Sequence, residues 1–259
     1  MKFSPLQTGI VDHAVSLVVS ACEKTFTDNL VCITLKGSTI KGDFFPGYSD
    51  LDFHVFLKPE VMDGEKCPKV EGAIRFQKAF GNVNPEDFGV SQFQIYFINS
   101  KKYPSDWLPP VKGTYKIIWG KLPSTAREMD DLIYLHQAKQ FLTSVEADRK
   151  KIVERFVDKT NTQIPQIVRL LGAVLKSYMY SVSMLLTLKP RMILRTKLDK
   201  LIQIIEEGIE SKGHFSKYFD YVSNWNRLLG GPDQIRDAFR EGTKALDEII
   251  CWYNNYQDK

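Results

Sequence analysis

Cysteine is scarce, and its placement excludes more than it suggests. Cys22, Cys32, Cys67 and Cys251 stand far apart, with no CxxC pair and no Cys/His metal spacing, so neither a thiolate metal centre nor a disulfide framework is expected. Three of the four sit in apolar surroundings, which reads as buried free thiols in a reducing compartment. Arginine-rich runs are absent and the formal charge is only +4. That balance suits an anionic substrate and is too weak for a nucleic-acid surface. A secretory leader and a membrane span are missing as well: the apolar run Ala14 to Ala21 is too short and has no basic flank. A cytoplasmic protein with no membrane partner is expected. What is present is ordinary for a globular protein: 259 residues, 43% hydrophobic and 25% charged, enough for one large domain or two modest ones with real cores.

The unusual residues gather between Leu30 and Lys58. Leu30 to Leu35 is short and rich in β-branched residues, so it reads as a strand. Gly37-Ser38 follows at once, then Gly42, Pro46 and Gly47. A second strand, Leu51 to Leu57, opens on Asp50 and Asp52. Side chains alternate along a strand, so these two carboxylates share a face, about 7 Å apart. No basic residue covers them in the local sequence, and such a pair calls for a cation; Mg²⁺ fits, because it takes one or two carboxylates and fills its other positions with water and phosphate oxygens. Gly37 permits a positive φ and a close backbone approach. Ser38 adds a hydroxyl and a backbone N–H, a short helix is expected from Thr39, and Lys41 adds charge. A phosphate cradle joined to an acid pair suits phosphoryl or nucleotidyl transfer.

Gly37-Ser38, eleven residues, then Asp50-Leu51-Asp52 resembles the signature of the nucleotidyltransferase superfamily that includes DNA polymerase beta. Ser49, Gly42 and Lys41 most resemble the bacterial antibiotic nucleotidyltransferases acting on aminoglycosides or lincosamides. The resemblance is tight over roughly thirty residues and architectural beyond them. It implies transfer of a nucleoside monophosphate from an NTP to a hydroxyl of a small acceptor. It also implies Mg²⁺ on Asp50 and Asp52, with Gly37, Ser38, Lys41 and Ser49 on the nucleotide.

The flanking chain supplies a scaffold. Pro5 to Phe26 has helical spacing through Ile10, Ala14, Leu17, Val18 and Ala21. Val70 to Phe80 reads as a helix, and the alternation of Phe93, Ile95 and Phe97 with Gln92, Gln94 and Tyr96 as a strand. That strand is where the resembled family carries its third acid. Here Gln94 holds the place, and an amide cannot take a proton at neutral pH. The alternative to an enzyme is therefore a nucleotide-binding or regulatory module that keeps the fold without turnover. Thr114 to Trp119 reads as a last strand, and Ser124 with Arg127-Glu128 as a helix start.

Residues 1–124 are thus expected to form a small mixed sheet of four or five strands with helices, and 125–259 an all-α bundle: an α+β protein. The bundle reads as Asp131 to Phe156, Ile164 to Leu188, Thr196 to Ile209, Phe215 to Leu229 and Pro232 to Tyr253. The same order is found in the kanamycin-type enzymes. Several antibiotic nucleotidyltransferases draw their base from the helical domain, which makes Glu146 and Asp148 candidates, with Arg169, Lys176 and Tyr178 for nucleotide or acceptor contacts. Each of these also reads as a solvated or helix-seam residue.

Overall fold

The computed structural model describes residues 8–104, 107–124, 126 and 128–257. Two compact units divide the chain, residues 3–128 and 129–259. In the first, α1 (Thr8–Phe26) precedes β1 (Leu30–Lys36), the one-turn α2 (Ser38–Lys41) and β2 (Leu51–Leu57). The two-residue strands β3 (Met62–Asp63) and β4 (Cys67–Pro68) pair with each other, and α3 (Val70–Phe80), β5 (Phe93–Asn99) and β6 (Tyr115–Gly120) follow. The expected residues Pro5 to Gln7 and the side chain of Ile10 lie outside the described residues.

The main sheet has the order β5-β2-β1-β6. β1 is antiparallel to both β2 and β6, whereas β2 and β5 run parallel. A parallel pair needs a long crossover, and the segment carrying α3 provides it. Alternation sorts the side chains. Ile33, Leu35, Phe53, Val55, Leu57, Phe93, Ile95 and Phe97 pack on one face with Ala14, Val18 and Ala21 of α1 and Phe76 of α3. On the opposite face the far end is apolar, where Cys32, Phe56 and Ile98 pack with Ala126, Tyr103 and Trp107. The near end of that face carries Lys36, Asp52 and Gln94.

The second unit is helical: α4 (Asp131–Leu142), α5 (Val145–Val157), α6 (Ile164–Thr187), α7 (Pro190–Arg195), α8 (Leu198–Gly208), α9 (His214–Ser223), α10 (Trp225–Leu228) and α11 (Pro232–Gln257). Ser124 does not start a helix. Among the described residues the first helix after it is α4, N-capped by Asp130, whose Oδ1 accepts the Leu132 N–H at 2.9 Å; Arg127 lies outside the described residues. Nor is Asp131 to Phe156 continuous. Thr143 Oγ1 and Ser144 Oγ donate back to the carbonyls of Gln140 and Phe141, at 2.7 and 3.1 Å, and this competition ends α4.

α6 is the centre of the bundle, packed on α4, α5, α7, α8 and α11. By length and hydropathy it is the one described helix able to cross a membrane, yet Val168, Leu171, Leu175, Met179 and Val182 are fully buried. The aromatic run of α9 is core: Phe215, Tyr218, Phe219 and Val222 are inaccessible, and the Tyr218 hydroxyl donates to the Val168 carbonyl at 2.6 Å.

His214 ties α9 to α11, with Nδ1 2.6 Å from Glu241 Oε2 and Nε2 3.9 Å from Glu248 Oε1. Burial pushes the Glu241 carboxyl up, but His214, Lys244 and Lys217 outweigh it and hold the group below its ordinary 4.5. A depressed folded value adds stability above the unfolded pKa and loses it as pH falls through the folded one. Glu241→Gln should therefore flatten the acid side of the stability profile. Melting temperatures followed from about pH 6 to about pH 3 should fall less for the variant than for the parent; parallel curves would remove Glu241 from the acid response.

The thiols depart in part from expectation. Cys22 and Cys32 are buried, and burial raises both to about 12. Cys67 and Cys251 are exposed, and all four are free, because Cys67 lies on the short β3–β4 hairpin and Cys251 on a solvent face of α11. A soluble aromatic disulfide reagent should label two thiols in the native protein and four in denaturant. Labelling of Cys22 or Cys32 at the rate of the exposed pair would contradict the core assignment.

Candidate active site

β1 ends at Lys36, and Gly37 turns the chain with φ 81° and ψ −153°. Its carbonyl accepts the Ile40 and Lys41 N–H groups at 3.2 Å, so the helical turn starts at Ser38, one residue before the expected Thr39. A left-handed Gly42 closes that turn. The absence of a side chain at Gly37 is required twice over. Its φ disfavours other residues, and a Cβ there would lie 2.1 Å from Asp52 Oδ2. The Gly-Ser bend and the second aspartate are in contact.

The loop between the bend and β2 is held by its own backbone and by the approach to β5. Ser49 is buried, and its Oγ accepts the Phe45 N–H at 2.9 Å. Its carbonyl accepts the Ser91 N–H at 3.0 Å, and Leu51 N–H reaches the Gln92 carbonyl at 3.1 Å. Ser49, expected among the nucleotide contacts, helps to shape the loop through these bonds. The same pairing delivers Ser91, Gln92 and Gln94 to Asp50. Ser91 Oγ donates to Asp50 Oδ1. The amides of Gln92 and Gln94 donate to Asp50 Oδ2 at 3.0 and 2.7 Å, and Tyr96 OH donates to Gln94 Oε1 at 2.8 Å.

Asp52 lies between Lys36 on β1 and Gln94 on β5 in direct register. The position aligned by resemblance with a third acid is therefore adjacent to Asp52 in space. The Gln94 amide nitrogen faces Asp50, and its oxygen accepts a hydrogen bond from the Tyr96 hydroxyl. The half-exposed Tyr96 phenol titrates above its ordinary value through burial first and then through Asp52 and Asp50, so both carboxylates lie within electrostatic reach of one hydroxyl.

The local sequence offers no basic residue to cover the acids, but the neighbouring strand brings one close. Pairing of β1 with β2 brings Lys36 opposite Asp52, and Lys36 Nζ stands 3.1 Å from His54 Nε2. Burial lowers the Lys36 pKa while Asp52 opposes the shift. Burial, then Lys36, holds His54 well below 6.5, so its imidazole is neutral at pH 7. A neutral ring accepting from the ammonium at Nε2 carries its proton on Nδ1. Lys36, Ser91, Gln92 and Tyr96 were not legible as a group, because sheet order alone assembles them; the one local signal was alternation, which puts Thr34 and Lys36 on the face of Asp52 and His54.

Among the described residues, no three His, Cys, Asp or Glu side chains are arranged to hold a metal ion. Two carboxylates on one face nonetheless match a hard divalent ion that completes its shell with water and phosphate oxygens. Lys41 closes α2, half-buried, and takes part in further interactions. The remaining candidates belong to the helical unit. Glu146 is exposed and pairs with Lys150 at 2.7 Å. Asp148 accepts the Tyr178 hydroxyl at 2.7 Å and lies 3.7 Å from Lys151. Arg169 and Lys176 are half-buried on α6 and make contacts of their own.

Comparison with protein-family models found no match, and neither did comparison with curated proteins.

Gly37→Ala tests the contact on which this geometry rests. It should lower stability by about 1–3 kcal/mol, since it combines an unfavourable φ with displacement of a carboxylate. Chemical denaturation measures it, and a neutral result would mean that the bend and Asp52 are not packed as described.

Proposed function

We propose that residues 3–128 form a nucleotidyltransferase-type unit that binds an NTP with Mg²⁺ and transfers a nucleoside monophosphate to a hydroxyl of a small acceptor. The observation that carries this reading is the contact of the Gly37-Ser38 bend with Asp52, beside Gln94, whose amide also holds Asp50. Asp50 and Asp52 would hold the ion, and Ser38 would meet a phosphate oxygen through its hydroxyl and backbone N–H. The ion, when bound, neutralises charge on the triphosphate and on the departing pyrophosphate.

In the reaction the acceptor oxygen forms a bond to the α-phosphorus, the bond to pyrophosphate breaks, and the hydroxyl proton passes to a base. Gln94 cannot take that proton. Of the two candidate bases that the resemblance suggests, Asp148 accepts from the Tyr178 hydroxyl and Glu146 pairs with the exposed Lys150. An aminoglycoside or lincosamide is the acceptor class of the enzymes this chain resembles. A cytoplasmic location accords with an NTP substrate and four free thiols.

A second reading has its own support. The Gln94 amide donates to Asp50 where an acid would add a third negative charge, which favours a module that binds nucleotide without turning it over. Pyrophosphate release with NTPs, Mg²⁺ and an acceptor panel separates the two, since binding without release selects the module.

Asp50→Asn and Asp52→Asn test what both readings share. Each should weaken MgATP binding by roughly 100-fold or more while leaving the circular dichroism spectrum unchanged. Variants that bind MgATP as well as the parent would refute the acid pair as the metal holder.

A further inference from the structure

We propose that Lys36 is the site's built-in cation: it opposes the binding of a free divalent ion at Asp52, so that the metal enters only together with the nucleotide's phosphates. The inference rests on the nucleotide-binding reading above and adds a rule for how the site is filled.

In the β1–β2 pair Lys36 is the direct partner of Asp52. Side chains of such partners stand about 4.5–5.5 Å apart at Cβ on one face of the sheet. The lysine is also aimed. Its Nζ lies 3.1 Å from His54 Nε2, and His54, 5% exposed, is two residues along β2 on the same face. The imidazole is fixed in turn by edge-on contact with Tyr96, at 5.8 Å between centroids, and by Trp107 at 6.2 Å. A lysine on a solvent-facing strand end spreads over many rotamers, but this one is tied to the buried His54, two residues along β2 from Asp52.

Charge then decides the consequence. A bare divalent ion approaching Asp52 meets the positive charge of its register partner, with part of the intervening space occupied by protein and poorly screened. A metal–triphosphate complex carries net negative charge, and for it the same ammonium is attractive. One side chain therefore penalises the free ion and favours the complex. A purely structural role for Lys36, capping β1 or covering His54, gives no such opposite response to the two ligands.

The test uses the full chain and Mn²⁺ as the probe ion, followed by electron paramagnetic resonance or calorimetry, with and without ATP. In the parent, Mn²⁺ alone should bind at least about tenfold more weakly than it does in the presence of ATP. Lys36→Met, which keeps the length and loses the charge, should tighten Mn²⁺ alone by about tenfold or more and loosen the ATP complex. Lys36→Gln should do the same, and Lys36→Arg should behave as the parent. If the parent binds MnATP but free Mn²⁺ binds it equally well, the inference fails whatever the variants do. It fails also if the neutral variants bind Mn²⁺ no tighter than the parent, or if Lys36→Arg tightens it too. If the parent binds neither ligand, the nucleotide reading itself fails and takes this one with it.

Discussion

The register between β1 and β2 is the constraint on which the first unit depends. Lys36 pairs with Asp52 and Thr34 with His54, and this pairing sets Gly37 against the Asp52 carboxylate with no room for a methyl group between them. A slip of one residue would turn every side chain of a strand to the opposite face. Phe53 and Val55 would then leave the core, and Asp52 and His54 would enter it. The apolar face packed on α1 and α3 thus holds the polar face in place. The energy that fixes the acids comes from burying Ile33, Leu35, Phe53 and Val55, not from the acids themselves.

That division explains what was legible beforehand. The α+β arrangement, the helix over Val70–Phe80 and the strand faces of Phe93, Ile95 and Phe97 follow from period and composition. Helix ends were less legible, because they are set by single hydroxyls and carboxylates. The break at Thr143-Ser144 and the cap at Asp130 are local hydrogen bonds that an apolar pattern does not record. At the site, the residues of the loop and β2 stood out, since glycines and paired acids are rare in such a place. Ser91, Gln92 and Lys36 did not, because each acquires its meaning from a neighbouring strand distant in sequence.

The helical unit shows the same contrast between stability and chemistry. Tyr178 looks from its sequence like a ligand contact, yet its ring stacks on Phe141 at 4.6 Å and its hydroxyl goes to Asp148. The bond secures a helix seam and occupies a carboxylate that was a candidate base. His214 had no companions at ligand spacing in sequence, and it gains two carboxylates from one face of α11. Those carboxylates meet different ring nitrogens, so they form a clamp between helices.

Gln94 and Lys36 change meaning when considered together. An acid at position 94 would stand beside Asp52 and, without its amide donor, would repel Asp50; such a cluster demands external positive charge simply to remain folded in place. With the amide, Asp50 instead collects hydrogen bonds from Ser91, Gln92 and Gln94, while Asp52 has an ammonium in register. Both lower the net negative charge of the same face, Gln94 by its neutrality and Lys36 by compensation. Pre-orientation of both carboxylates therefore does not depend on a bound ion, and the attraction left for a cation is reduced in the same step. The trade is between a site that is rigid when empty and one that recruits metal strongly. These residues favour rigidity, and the proposed order of filling, with phosphates and ion entering together, follows from that choice.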